Sequence, residues 1–164
     1  MFQHKKYCLD TNVLINAWNG YYSMQLCPDY WEALSDLADK GIIFCTMEVK
    51  REIETIDDAL LAWVNTKPNL FKEVCNETQI QLAKILAVKK YQRLVDSSRG
   101  RSIADPWVIA HAIAEKAIVV TKEASTPMDA VRIKIPDVCK ELKVPYMNDF
   151  QFLEAIGLKF SIAR

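Results

Sequence analysis

Three short apolar runs, Tyr7-Cys8-Leu9, Ile42-Ile43-Phe44-Cys45 and Ala117-Ile118-Val119-Val120-Thr121, limit what this chain can become. None is long enough for a buried helix. Each therefore reads as a strand buried on both faces, the kind found in parallel sheets with helical crossovers. In such sheets the carboxyl ends of the strands open onto the ligand crevice. Asp10 stands at the end of the first run, just before apolar spacing resumes at Val13 with a helical period. Taken alone, Asp10, Thr11 or Asn12 is best read as a cap for that helix.

The 164 residues, half of them apolar, suit one domain over 1–164 with a full core. Acids and bases balance at 21 each, so affinity for nucleic acid or an anionic membrane has to come from a local patch. Cys8, Cys27, Cys45, Cys75 and Cys139 show no C-x-x-C spacing, which argues against a zinc ribbon or a disulfide scaffold. Cys8 and Cys45 sit in strand-like runs and read as small core residues in a reducing compartment. Neither a signal peptide nor a run approaching the ~20 apolar residues of a membrane span is apparent. The expectation is a cytoplasmic protein with no membrane partner.

Between the strands, helical spacing predicts helices at 13–18, from Pro28 or Asp29 to Lys40, from Glu48 through Val64, from Gln79 to Val95, from Asp105 to Ala114, at 137–142 and from Asp149 to Ile156. Thr46 is expected to cap the third of these. In the helix over 79–95, Ile80, Ala83, Leu86, Ala87 and Leu94 make the expected apolar side. Its polar side, with Lys84, Lys89, Lys90 and Arg93, continues to Arg99 and Arg101 as the most basic part of the chain. That patch is either a solvated helix face or a nucleic-acid contact. Asp105 reads as the N-cap of an almost wholly apolar helix, with Pro106 opening it. Ile133 to Pro136 is expected to pair at the sheet edge, and 144–147 to form a weak fourth strand.

The acids make a pattern that caps do not require. Asp10 follows the first strand, Glu48 and Glu52 open the helix after the second, Asp105 starts the buried helix and Glu123 follows the third strand. In a parallel sheet with right-handed crossovers these positions crowd around one crevice. Each close pair of carboxylates costs on the order of a few kcal/mol at an effective dielectric near 20, so something positive must offset them. A donor set of oxygen alone suits Mg²⁺ or Mn²⁺. Such an ion activates water and stabilises the oxygens of a phosphodiester displacement. Neither His4 nor His111 falls in a triad-like setting.

Leu9-Asp10-Thr11-Asn12-Val13-Leu14, Thr46-x-x-Val49-x-x-Glu52, Ala104-Asp105-Pro106-Trp107-Val108-Ile109-Ala110 and Val119-Val120-Thr121-Lys122-Glu123 together resemble, in chain order, the motifs of PIN-domain ribonucleases. The segment Lys134-Ile135-Pro136-Asp137-Val138-Cys139 resembles the C-terminal part of PIN-like relatives. The resemblance implies a three-layer α/β/α fold around a short, mostly parallel sheet of four to five strands. It also implies a Mg²⁺- or Mn²⁺-dependent endoribonuclease and, as for the VapC-type toxins among its relatives, an antitoxin partner and a homodimer. Carried over residue by residue, Asp10, Glu52 and Asp105 match the three acids of the motif, Glu123 stands where an aspartate is usual, and Glu48 is an alternative fourth ligand. Thr11 and Asn12 match a polar pair that orients the first acid, with Thr121 in support. Lys89, Lys90, Arg93, Arg99 and Arg101 would hold the RNA backbone. The chain departs from the family in the run Thr121-Lys122-Glu123-Ala124-Ser125, which lacks the second acid of the usual threonine, acid, x, acid pattern. That departure keeps alive a PIN-like scaffold that binds RNA or protein without catalysis. A haloacid-dehalogenase-like phosphatase, with Asp10 as nucleophile, would need an acid where Asn12 stands.

Overall fold

The computed structural model describes residues 5–56, 58–95, 103–127 and 130–161. The elements are β1 (Tyr7–Leu9), α1 (Thr11–Asn19), α2 (Pro28–Asp39), β2 (Ile43–Thr46), α3 (Met47–Glu54), α4 (Asp58–Asn65), β3 (Phe71–Lys72), α5 (Asn76–Ala87), α6 (Asp105–Glu115), β4 (Ile118–Val120), α7 (Ile135–Leu142), β5 (Tyr146–Met147) and α8 (Asp149–Ala155). The strands form one sheet in the order β3-β2-β1-β4-β5, and all four pairings are parallel. This is the α/β arrangement expected of a PIN-like chain.

The order reverses at β1. From it the chain steps to β2 and β3 on one side, then returns to β4 and β5 on the other, so the crevice falls at the carboxyl ends of β1 and β4. Parallel neighbours on either side of β1 require crossover connections, which the helices supply. On one face of the sheet α6 contacts β1, β2 and β4, flanked by α5 and α7. That position explains the composition of α6, in which Val108, Ile109, Ala110, His111 and Ala112 are all buried. Cys8, Cys45 and Cys139 are buried and reduced, as small core residues should be.

Several boundaries correct the sequence reading. The helix expected over 79–95 stops at Ala87, where Val88 turns to an extended conformation, and a 3-10 turn follows over Lys89–Leu94. Its apolar side was misassigned as well. Ile80 is 49 % exposed, and Ala83 and Ala87 are also exposed; α5 buries Thr78 and Ile85, and the 3-10 turn buries Tyr91 and Leu94. Of the expected side, Leu94 is buried, but from the 3-10 turn and not from the helix. Ile133 to Pro136 forms no edge strand. α7 begins at Ile135, because Pro136 fits a first helical turn and Asp137 accepts from the Lys134 N–H at 3.0 Å, holding the helix entrance. The helix from Glu48 through Val64 is two, α3 and α4. β3, with only two residues, has no periodicity to announce it. Among the described residues no helix is long and apolar enough to cross a membrane.

Candidate metal centre and its surroundings

Asp10 leaves the carboxyl end of β1 with its N–H still bonded to the Val120 carbonyl at 2.9 Å. Its carboxylate caps α1, accepting from the Thr11 N–H at 2.7 Å. The cap is half the account. The other oxygen accepts from the Thr121 hydroxyl at 2.8 Å, across to the end of β4. Thr121 is fully used: its oxygen also accepts from the Asn12 amide at 3.3 Å and the Glu123 N–H at 3.1 Å. Asn12 in turn accepts from the Lys122 N–H at 2.9 Å. Asn12 thus orients the first acid through Thr121 and not by touching it.

Glu52 fastens three elements. Its two carboxylate oxygens accept from the Thr11 hydroxyl at 2.6 Å and from the Ala104 N–H at 3.1 Å, linking α3 to the start of α1 and the start of α6. A cap would not explain this, since Glu52 lies in the second turn of α3. Glu123 is half-buried and accepts from the Ile135 N–H, at the start of α7, at 3.0 Å.

Asp105 does not cap α6. Ala104 holds that position without a side-chain bond, and Asp105 is the first helical residue. Its carboxylate is buried, and among the described residues Oδ2 has no hydrogen-bond partner. The cation it meets is Arg132, whose Nη2 stands 3.9 Å from that oxygen. Arg132 was missed by sequence reasoning, because an isolated cation in an irregular segment carries no pattern.

The electrostatics follow from this crowding. Burial raises the pKa of Asp105 well above the usual carboxylate range, the charges of Asp10, Glu123 and Glu52 raise it further, and Arg132 opposes them. Burial likewise raises Asp10, against the hydrogen bond from Thr121, with Glu123 and Glu52 adding to the rise. The structure therefore brings Asp10, Glu52, Asp105 and Glu123 into one electrostatic neighbourhood. Glu48 is also buried, on α3, with one oxygen 3.1 Å from Arg51 and the other, among the described residues, without a hydrogen-bond partner.

Among the described residues no three His, Cys, Asp or Glu side chains stand in a ready-made ligating arrangement. Asp10, Glu52 and Glu123 are instead turned onto hydrogen-bond donors of the chain. The residues nonetheless fit a hard divalent cation. The donors are all oxygen, each carboxylate oxygen that accepts one hydrogen bond keeps a further lone pair, and a buried oxygen of Asp105 lacks a partner.

Asp149 is a further acid that the sequence reading took only as a helix start. It is buried at the carboxyl end of β5 and receives Lys122 Nζ at 2.7 Å. Its sequence signal, an acid just after a weak strand, is the same as that of Asp10. Of the predicted RNA contacts, Lys89, Lys90 and Arg93 lie on the 3-10 turn, while Arg99 and Arg101 lie outside the described residues. Lys90 pairs with Glu141, and Arg93 donates to the Val131 carbonyl at 3.2 Å. Lys90, Arg93, Arg132 and Lys140 line one groove of about 410 Å³, shared with Asp137 and Glu141.

No curated protein matches the chain. Among solved structures, a chain of VapBC2 from Rickettsia felis, crystallised bound to a DNA fragment from its promoter, matches at a TM-score of 0.50 and 17 % identity, covering 87 % of this chain and 97 % of that one. At that identity the likeness is one of fold. The family described as Domain of unknown function (DUF4411) matches residues 7–160, and the chain belongs to it.

Proposed function

We propose that this protein is a Mg²⁺- or Mn²⁺-dependent endoribonuclease, and that it is the toxin of a toxin–antitoxin pair. One observation carries the nuclease reading. Among the described residues, Asp105 holds a buried carboxylate oxygen without a hydrogen-bond partner beside Asp10, Glu52 and Glu123, at the sheet's carboxyl edge where a parallel fold presents its ligands. Asp10 and Asp105 would hold the ion, with Glu123 reaching it directly or through water. The ion would supply charge on the phosphate oxygens and a water of lowered pKa.

The rest is the work of the chain. Glu52 positions Asp10 and Asp105 by gripping Thr11 and Ala104, the residues beside them. Thr121 sets the Asp10 carboxylate, as an outer-shell donor does for a metal ligand. The groove that runs from Lys90 and Arg93 to Arg132 carries four cations against two acids and ends beside Asp105. It suits a phosphate backbone approaching the acids. The fold shared with a chain of VapBC2 supports an antitoxin as partner. A small adjacent reading frame encoding a DNA-binding head and an amphipathic tail is the expected genomic companion.

The missing second acid in the run after Thr121 favours the rival reading of a scaffold without catalysis. The phosphatase reading loses ground at Asn12, whose amide is committed to Thr121 and to the Lys122 N–H. The deciding experiment incubates the purified protein with labelled single-stranded RNA and Mn²⁺, with an EDTA control. Cleavage that needs Mn²⁺ and disappears in both Asp10→Asn and Asp105→Asn is expected. Cleavage that survives either substitution would overturn the assignment, and a folded wild-type protein that never cuts RNA would favour the scaffold.

A further inference from the structure

The carboxyl edge of the sheet holds a second group of side chains that the acids do not use. Phe150 follows Asp149 in the first turn of α8 and is 55 % exposed, an unusual place for a large aromatic ring on a helix whose next aromatic, Phe152, is fully buried. Lys122 Nζ lies 5.6 Å from the centre of the Phe150 ring and 2.7 Å from Asp149 Oδ2. The Lys122 backbone is also tied into the acid network, since its N–H donates to Asn12 and its neighbour Thr121 donates to Asp10. Tyr22 closes the group from the other side. Its ring stacks on Phe160 at 5.5 Å, and its hydroxyl feels the charges of both Asp149 and Lys122.

The sheet sets the spacing. Phe150 stands beyond the end of β5, two strands from β1 and Asp10, and neighbouring strands lie ~4.8 Å apart. The exposed ring, set against Lys122 beside the acid network, is within reach of a base close to the cut. An ammonium carries three donors, so with one on Asp149 Lys122 keeps two for a phosphate. The ion pair with Asp149 offsets part of the Lys122 charge and fixes where its ammonium stands.

We propose that Phe150 and Lys122 form a nucleotide subsite for single-stranded RNA beside the acids, with the ring stacking on a base and the ammonium holding the adjoining phosphate. This rests on the nuclease reading for its substrate but predicts a binding property separable from cleavage. A stacking subsite tolerates any base and rejects a backbone that has none.

The test measures binding by fluorescence anisotropy, in a non-cutting Asp10→Asn background with Mn²⁺ present, of an oligouridine and of the same backbone with abasic riboses. The protein with Phe150 intact is expected to bind the base-bearing strand about tenfold more tightly. Phe150→Ala should erase that preference, and Phe150→Leu, which keeps apolar area without a π face, should also fail to restore it. Lys122→Gln should weaken both strands alike and reduce the salt dependence by about one phosphate contact. An unchanged far-ultraviolet spectrum and melting temperature in each variant would show that the fold is kept. If Phe150→Ala retains the preference for base-bearing RNA, the subsite is overturned while the nuclease reading stands. If neither strand binds before Phe150 or Lys122 is altered, both fall.

Discussion

The two ends of α6 carry one acid each, and they are treated in opposite ways. Asp105 starts the helix, where the dipole favours a negative charge, yet its pKa is raised, by burial first and then by three neighbouring carboxylates. Glu115 ends the helix, where the dipole disfavours a negative charge. Burial pushes its pKa up too, but hydrogen bonds from Lys6 and Lys72 and their charges more than cancel this, leaving it below the usual value. Local helix electrostatics therefore decide neither case. A structural acid is matched with cations of the chain, whereas, among the described residues, Asp105 has three neighbouring carboxylates and one arginine, Arg132, acting on it. The deficit is what a bound cation would supply.

The largest effect expected from this contrast is on catalysis. Asp105→Asn and Asp10→Asn should each lower Mn²⁺-dependent RNA cleavage by about a hundredfold or more, the loss expected when a group that stabilises developing charge is removed. Glu115→Gln should leave turnover near wild type. A gel-based cleavage assay of the three variants separates the two ends of the helix, and equal losses at both ends would break the comparison.

Thr121→Val sharpens it at the level of support. The substitution keeps the shape but leaves one Asp10 oxygen, the Asn12 amide and the Glu123 N–H without their shared partner. Unpaired buried polar groups cost about 1–3 kcal/mol, and metal ligands that lose an outer-shell donor weaken by about 10- to 100-fold. Chemical denaturation and a Mn²⁺ titration of this variant would read the two losses separately. Full metal affinity in Thr121→Val would remove it from the site.

The next contrast is in pH. Asp10 and Asp105 have folded pKa values above their unfolded ones, so their contribution to stability is whole below the ordinary carboxylate value near 4 and is lost as pH rises through the folded values. Without metal, the melting temperature of Asp105→Asn should gain on wild type as pH is raised from about 5 to about 8. Glu115 has the reverse sign. Its depressed folded pKa contributes stability above the unfolded value, and that is lost as pH falls through the folded one. Glu115→Gln should therefore trail wild type at neutral pH, by about 1 kcal/mol for a partly exposed pair, and converge with it in acid. A pH-independent gap for Asp105→Asn would contradict the account of the acid group.

Much of this was legible before any coordinates. The three buried strands announced themselves because a strand covered on both faces is apolar throughout, and their parallel order placed Asp10 and Thr121 side by side. The apolar helix around Val108 was equally plain, since a helix packed across β1, β2 and β4 has almost no polar face. What failed did so for physical reasons. Helical period alone could not show that Val88 breaks α5, because no glycine or proline marks the place. Ile133 to Pro136 reads as an edge pairing ahead of a helix with a proline start, and the helix in fact takes in Ile135 and Pro136. The cap reading of Asp105 missed by one residue, and that one residue turns its carboxylate from a satisfied cap into an unsatisfied buried acid. Arg132 and the Lys122–Asp149 pair depend on segments that meet only in three dimensions, so no spacing in the chain could have revealed them.

The central claim is that the acids at the carboxyl edge await a hard divalent cation. It is tested most directly by thermal unfolding at neutral pH with and without Mn²⁺, since an ion that binds only the native state must stabilise it. Saturation to about a hundred times the dissociation constant is worth about 2.7 kcal/mol, or roughly 5–10 °C for a domain of this size. The account predicts that rise for wild type and for Glu115→Gln, and its loss in Asp105→Asn. A wild-type protein whose melting temperature ignores Mn²⁺, or an Asp105→Asn variant that keeps the full rise, would contradict it.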